Sequence, residues 1–359
     1  MYIYKMFLQR MGGDEMRVSI IGATGYAGEE LIRLLHRHPS AEIVHMTSER
    51  HAGERISEAY PHLMNIYENK LASIKHLREI AAAGDVLFIA LPHGHAMKIV
   101  RAAAGIPVRI IDLGADYRFD DTAVYEAWYG TAHTDHDADR AYGLSELYRS
   151  DIAHARVVGN AGCYTTASIL ALAPLVKAHL ILSDSIIIDA VSGVSGAGRA
   201  PKESTHFPEL YDNFTAYGAV RHRHTPEIEQ ALSAQAGEVV TVSFTPHLAP
   251  ISRGILVTCY ATLVAGVTED QIDAAFEALY ADEHFIRLRG RGAYPAVKHV
   301  RGTNYCDIAW HYDPRTHRVI VFAAIDNLVK GAAGQAIQNM NIVMGLDERT
   351  GLDLVPMYP

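Results

Sequence analysis

Arg17-Val18-Ser19-Ile20-Ile21-Gly22-Ala23-Thr24-Gly25-Tyr26-Ala27-Gly28-Glu29-Glu30-Leu31 is the stretch that decides the fold. RVSII is a short β-branched run of the kind found in buried parallel strands. It passes directly into a glycine-rich turn, then into GEELIRLLHRHP, which is apolar at helical spacing and stops at Pro39. Gly22, Gly25 and Gly28 fit G-x-x-G-x-x-G. Glycines in that setting allow a tight turn and bring backbone N–H groups close to a pyrophosphate, with the positive helix end behind it. Gly22, Thr24, Gly25, Tyr26, Ala27 and Gly28 are therefore candidate nucleotide contacts. The alternative is a purely structural turn.

The pattern continues outward from this unit. AEIVHMTS, DVLFIALP and VRIIDLGAD read as further strands, and LASIKHLREIAAAG and HAMKIVRAAAG as helices. Strands alternating with helices predict an α/β fold with a parallel, doubly wound sheet of Rossmann type. After about residue 160 the texture changes. TTASILALAPLVKA is helical, and SIIIDAVSG, EVVTVSFTPHL, GILVTCYATLV and RVIVFAAID read as strands of a larger sheet. TPEIEQALSAQ and TEDQIDAAFEALYADE are helices between them. The expected organisation is an extension over 1–15, a nucleotide-binding domain over 16–157 joined by a last helix at 327–344, and a second domain over 158–326.

Bulk properties agree with two domains. The chain has 359 residues and 39.4 kDa, longer than one ordinary core. Hydrophobic residues make up 49% and charged residues 20%, which excludes disorder and coiled coil. A net charge of −9 argues against a general nucleic-acid surface, and no stretch has the length of a membrane helix. Three scattered cysteines are too few for a disulfide framework or a zinc site and fit a reduced cytosol. The start, MYIYKMFLQRMGGDEM, lacks a long apolar region and a small-residue cleavage site, so it is not read as a signal peptide. Met16 is an equally sensible first residue.

Five segments carry chemistry. Thr47-Ser48-Glu49-Arg50 ends the second strand, where the ribose is discriminated. Ser48 with Arg50 suits the 2′-phosphate of NADP, whereas Glu49 suits the hydroxyls of NAD. Gly159-Asn160-Ala161-Gly162-Cys163-Tyr164 sets a cysteine at a helix start, where unpaired N–H groups stabilise a thiolate. Cys163 reads as a nucleophile, with a small core residue as the alternative; Cys259 and Cys306 suit the core better. In Arg221-His222-Arg223-His224-Thr225-Pro226-Glu227, Thr225 reads as a helix cap and Pro226 as the first helical residue. An extended segment before them would project His222 and His224 to one side as acid–base candidates, with His222 preferred because the cap holds His224. Ser192-Gly193-Val194-Ser195-Gly196 follows a strong strand and reads as a ligand wall near nicotinamide or as a flexible loop. Asp112-Leu-Gly-Ala-Asp116-Tyr117-Arg118 ends the fourth strand, where ligands bind in such sheets. Arg118 can fork onto a phosphate or carboxylate, or form a surface ion pair with Asp116 or Asp120.

Taken together, GATGYAGEEL, LPHGHA, DLGADYRF, GNAGCYTT, SGVSGAGR, HRHTPEIEQ, PHLAPISRG and AIDNLVKGAAGQAIQNMN resemble the N-acetyl-gamma-glutamyl-phosphate reductase family, which is related to aspartate-semialdehyde dehydrogenase. The resemblance runs from about Arg17 to Leu352. The family has Pro before Gly-Cys where this chain has Ala161, a position that shapes the turn. The resemblance implies a second domain with a mainly antiparallel sheet. It implies a cytoplasmic homotetramer or dimer in arginine biosynthesis, without a metal, that reduces a small-molecule acyl phosphate with NADPH. Cys163 would form a thioester with loss of phosphate, and His222 or His224 would manage the protons. Arg118 would bind phosphate with Asn160 and Lys202, Arg253 the substrate carboxylate, and Asn327 and Lys330 would approach the cofactor. Two competing readings are the paralogous reductase of lysine biosynthesis, which acts on a carrier-linked aminoadipyl phosphate, and a non-catalytic NADP-binding regulator.

Overall fold

The structure, a computed structural model, describes residues 15–358. All but the last residue of the expected extension 1–15 lies outside the described residues. The chain forms two compact units. The first runs to Asn160 and takes in Ala333–Asp353; the second comprises Ala161–Ala332 and the chain end from Leu354.

Six strands build the sheet of the first unit: β1 (Met16–Ile21), β2 (Ala41–Met46), β3 (Val86–Ile89), β4 (Arg109–Asp112), β5 (Arg140–Gly143) and β6 (Val157–Asn160). Their order is β2-β1-β3-β4-β6-β5, and every pairing is parallel. β3 is Val-Leu-Phe-Ile, buried throughout, because crossover helices leave a parallel strand no wet face. The order reverses at β1 and β3, and the crevice beyond their carboxyl ends is where such sheets bind ligands. The turn after β1 is Gly22–Gly25. Up to Asn160, the α-helices of seven or more residues in this unit are α1 (Tyr26–Leu35), α2 (Leu77–Ala83), α3 (Ala96–Ala102), α4 (Thr122–Tyr129) and α5 (Ser145–His154); one more follows residue 333. β5, β6, α4 and α5 were not anticipated from sequence.

The second unit centres on α6 (Cys163–Lys177), in which all residues from Tyr164 to Val176 are buried. A helix apolar on all sides must be enclosed on all sides. It packs against α7 (Thr225–Ala236), α8 (Glu269–Tyr280) and a seven-stranded sheet. The strands are β7 (Ile186–Gly193), β8 (Thr215–Ala216), β9 (Val242–Ala249), β10 (Ile255–Thr262), β11 (Ile286–Arg291), β12 (Cys306–Asp313) and β13 (Arg318–Ile325). Their order is β11-β12-β13-β10-β7-β9-β8. β11–β12 and β7–β9 are parallel and the remaining pairs antiparallel, so the sheet is mixed with an antiparallel majority. β10 alternates buried and half-buried residues along its whole length, the signature of a sheet with one face on the core.

The expected single helix over 327–344 is two elements. A π turn spans Val329–Ala333, and α9 (Gly334–Val343) follows, every residue of it buried. The chain passes from the second unit back to the first within this turn.

Candidate active site

In the first unit, the Gly22–Gly28 turn has no room for side chains at its two critical points. Gly22 adopts φ +86°, and a Cβ there would lie 2.5 Å from the Ala90 carbonyl oxygen. A Cβ on Gly28 would lie 2.4 Å from the Gly22 carbonyl oxygen, so α1 starts tight against the turn. Gly25 caps α1 in extended conformation. Thr47 anchors the turn from β2: its hydroxyl accepts the Gly22 N–H (3.2 Å) and its carbonyl the Ala23 N–H (2.9 Å). The Thr24 and Ser48 hydroxyls lie 2.8 Å apart, and the Tyr60 hydroxyl donates to the Thr24 carbonyl (3.1 Å). Tyr26 and Arg50 are exposed and Ala27 is half-buried. Glu49, the residue that argued for NAD, accepts the Ile74 N–H at 2.5 Å and the Ser73 hydroxyl at 3.2 Å. Its charge is spent on the neighbouring turn, which leaves Ser48 and Arg50 at the strand end. This bare-backbone cradle fits a dinucleotide.

The loop after β4 is built from buried charges. Asp116 accepts the Gly94 N–H (2.6 Å), the Ala96 N–H (2.9 Å) and the Tyr125 hydroxyl (2.8 Å), tying the loop to the HGHA segment that opens α3 and to α4. Asp120 lies 3.3 Å from Arg140. Arg118 is buried rather than on the surface and donates to the Leu113 carbonyl at 3.0 Å. Asp112 is enclosed, and burial, with Asp116 adding to it, pushes its carboxyl up to about 7. Asn160 is buried at the end of β6, where its side-chain oxygen accepts from Asn339 of α9 at 2.9 Å.

In the second unit, Cys163 is the first residue of α6, half-buried, with Gly162 extended before it. Glu227, fully buried in α7, accepts the Gly162 N–H at 2.9 Å. The Thr165 hydroxyl shares its hydrogen between the Gly162 carbonyl (2.6 Å) and Glu227 (2.9 Å). Sequence reasoning gave Glu227 no role. The available signal was its place on the same helical face as Ala231, beside Ile228, all of them buried. Tyr164 points the other way: its ring lies 5.7 Å from His222 and 6.0 Å from His224, and its hydroxyl donates to the His247 carbonyl.

The histidines lie together, but not on an extended strand. Residues 219–221 and 223–224 are turn, and the ring centroids of His222 and His224 lie 4.8 Å apart. Thr225 does not cap α7. It is the first helical residue, and Pro226 stands in the first turn behind it. His222 binds the residue before the helix: its Nδ1 accepts the N–H of His224, the N-cap, at 3.2 Å. That bond needs a lone pair on Nδ1. Burial, with Arg223 beside it, lowers the His222 pKa to about 4 and keeps the ring neutral. The premise that a Thr225 cap holds His224 and leaves His222 free therefore fails, since Thr225 is not the cap and His222 Nδ1 is itself engaged.

The Ser192–Gly196 loop is ordered by its neighbours. The Gly193, Val194 and Ser195 N–H groups donate to the carbonyls of Gly254, Ile251 and Ser252. Asn327, buried, closes the same two loops: its oxygen accepts the Gly254 N–H (2.7 Å) and its nitrogen donates to Ser195 (2.9 Å). Arg253 lies 3.6 Å from buried Asp326. Lys202 is exposed and donates to the Ala197 carbonyl at 3.3 Å. Lys330 is enclosed, its ammonium 5.6 Å from the Phe285 ring. Cys259 and Cys306 are fully buried, and burial raises the Cys259 thiol pKa far above its ordinary value. Among the described residues no group of three or more His, Cys, Asp or Glu is placed to hold a metal ion.

A parallel nucleotide-binding sheet and a mixed sheet with a cysteine at a helix start define the semialdehyde dehydrogenase class. The family model for the semialdehyde dehydrogenase NAD binding domain matches residues 17–155, and that for the dimerisation domain residues 163–327. Aspartate semialdehyde dehydrogenase II of Vibrio cholerae has the same fold, with a TM-score of 0.70 at 17% identity over 93% of this chain and 99% of that one. The enzyme of Candida albicans, solved with NADP, gives 0.69 at 17% over 92% and 99%. N-acetyl-gamma-glutamyl-phosphate reductase of Desulforamulus reducens is 51% identical over 96% of this chain and 100% of its own length. That of Symbiobacterium thermophilum is 52% identical over 96% and 99%. The chain belongs to the N-acetyl-gamma-glutamyl-phosphate reductase family.

Proposed function

We propose that this protein reduces N-acetyl-gamma-glutamyl phosphate to N-acetylglutamate semialdehyde with NADPH, releasing phosphate, in the cytoplasmic synthesis of arginine. The observation that carries the chemistry is Cys163 at the head of a buried 15-residue helix, its turn held by Glu227. Helix N-termini stabilise thiolates, and a thiolate is both a good nucleophile and a good leaving group.

Cys163 Sγ gives up its proton to a histidine and attacks the acyl carbon. The bond from that carbon to the phosphate oxygen breaks, and a thioester on Sγ remains. Bound NADPH supplies a hydride for reduction of the thioester. The histidine then governs the proton on the former carbonyl oxygen as the C–S bond breaks and Sγ leaves as thiolate. We assign the proton transfer to His224, because the Nδ1 lone pair of His222 is taken by the His224 N–H, which leaves the hydrogen of the neutral His222 ring on Nε2 with no second lone pair to accept a proton. Arg118 is the cation assigned to the substrate's phosphate, its guanidinium held by the Leu113 carbonyl. Asn160, Lys202 and Arg253 have partners within the protein, and we give them supporting parts. Asn327 shapes the loop of Ser192, Gly193, Ser195 and Gly196, the proposed nicotinamide wall. Gly22 to Gly28 form the pyrophosphate cradle, and Ser48 with Arg50 receive the 2′-phosphate.

The dimerisation-domain match supports a homo-oligomer, for which we propose a dimer or tetramer; light scattering distinguishes them. The assay that tests the activity runs in reverse. Purified protein should reduce NADP with N-acetylglutamate semialdehyde only when phosphate is present. Turnover confined to a carrier-linked aminoadipate semialdehyde would transfer the protein to lysine synthesis.

A further inference from the structure

The chain leaves β13 at Ile325 and turns on Asp326. The fully buried Asp326 carboxylate accepts the N–H groups of Leu328 (2.9 Å), Val329 (3.2 Å) and Gly302 (2.7 Å). It fixes the entry to the π turn, in which the Gly331 N–H reaches back five residues to the Asp326 carbonyl at 3.0 Å. Single π turns are rare and collect at functional sites. This one presses Gly331 onto the nucleophile helix. A Cβ on Gly331 would stand 2.8 Å from Cys163 Cβ, 3.1 Å from Cys163 Cα and 3.3 Å from Ile325 Cδ1. Cys163 Cβ is fixed to the helix backbone and cannot swing aside, and Ile325 is enclosed. Gly331 does not have a left-handed φ, so only this contact bars a side chain there.

We propose that Gly331 is a positioning residue for the Cys163 thiol: its bare backbone walls one side of Cys163 Cβ and limits the directions in which Sγ can point. A side chain has three staggered choices at χ1, and a wall beside Cβ closes those that turn toward it. The proposal rests on the reading of Cys163 as nucleophile, although the contact itself does not.

The test combines Gly331→Ala with two changes at Cys163. In the full-length enzyme, Gly331→Ala should lower kcat about 10- to 100-fold with KM for the acyl phosphate changed less than about threefold. The apparent Tm should fall about 2–10 °C in the wild-type and Cys163→Ala backgrounds, where the Cβ is present. In Cys163→Gly, which lacks that Cβ, most of the fall should vanish. If Gly331→Ala does not fold alone, the pair with Cys163→Gly should fold. An undiminished kcat, an equal loss of Tm in all three backgrounds, or failure of the pair to fold overturns the proposal. A Cys163→Ser enzyme that keeps turnover would sink the nucleophile reading instead, and would leave the Tm coupling standing.

Discussion

Glu227 Oε1 lies 2.9 Å from the Gly162 nitrogen, so a buried carboxylate of α7 holds the residue before the cysteine that opens α6. A buried N–H left without an acceptor costs about 1–3 kcal/mol. Glu227→Ala strips the acceptor from Gly162 and one from Thr165, and should destabilise the protein by about that amount. Glu227→Gln keeps an oxygen in place but removes the charge. Its stability should stay closer to wild type, while kcat falls through altered electrostatics around Cys163. Chemical denaturation of both variants, read beside their kinetics, checks this. Equal stability of Glu227→Ala and wild type would show that the bond is dispensable.

The parts of this architecture that were legible in the sequence are those with strong local patterns. The RVSII run, the glycine turn and the GEELIRLL stripe each point to one structure, and β1, its turn and α1 follow them. β5 and β6 read RAYG and VVGN, without the unbroken apolar run that marks the equally short β3, VLFI. β12 reads Cys-Asp-Ile-Ala-Trp-His-Tyr-Asp, and its Asp307 is buried because Arg287 meets it across the sheet, a long-range pairing that no local window contains. The π turn at Val329–Ala333 inserts one residue without disturbing the apolar run, so residues 327–344 read as a single helix. At the site, Cys163 was legible from its Gly-flanked turn. The His222 bond to the His224 N–H was not, because it depends on a turn where an extended segment was expected.

Cys163→Ser should leave the fold and NADP binding intact and nearly abolish turnover, because a serine hydroxyl at neutral pH is neither ionised nor a comparable leaving group. Cys259→Ser and Cys306→Ser probe enclosed thiols, and any loss there should come from stability rather than chemistry. Iodoacetamide should label Cys163 in the native enzyme and spare both others. Steady-state rates with peptide mapping decide it. Inactivation confined to Cys259→Ser would reject Cys163 as nucleophile.

Arg50 is exposed at the ribose end of β2 while Glu49 is bonded to the 73–74 turn. A charge-assisted hydrogen bond is worth about 1.5–3 kcal/mol, or roughly 10- to 150-fold in affinity. Arg50→Ala should weaken NADPH by that factor and NADH far less. Fluorescence titration with both cofactors gives the ratio. Equal losses would mean that Arg50 does not meet the 2′-phosphate.

The two histidines should separate by both rate and pH. His224→Asn should lower kcat by about 10²- to 10⁴-fold, the range for a positioned acid–base group. His222→Asn should cost less, because the side chain it replaces has its Nδ1 lone pair on the His224 N–H and acts through that bond. The sign of the pH effect follows from burial. The His222 pKa is lowered from the ordinary 6.5 to about 4, so the folded state binds the proton less readily than the unfolded chain. Its contribution to stability is then full above pH 6.5 and is lost as pH falls toward 4. His222 retains some exposure, which discounts the effect to about 1–2 kcal/mol. Wild type should therefore lose more stability between pH 7 and 4.5 than His222→Asn does, in parallel denaturation series. Matching acid profiles would show that His222 is not buried as a neutral ring. A larger kcat loss in His222→Asn than in His224→Asn would return the proton transfer to His222.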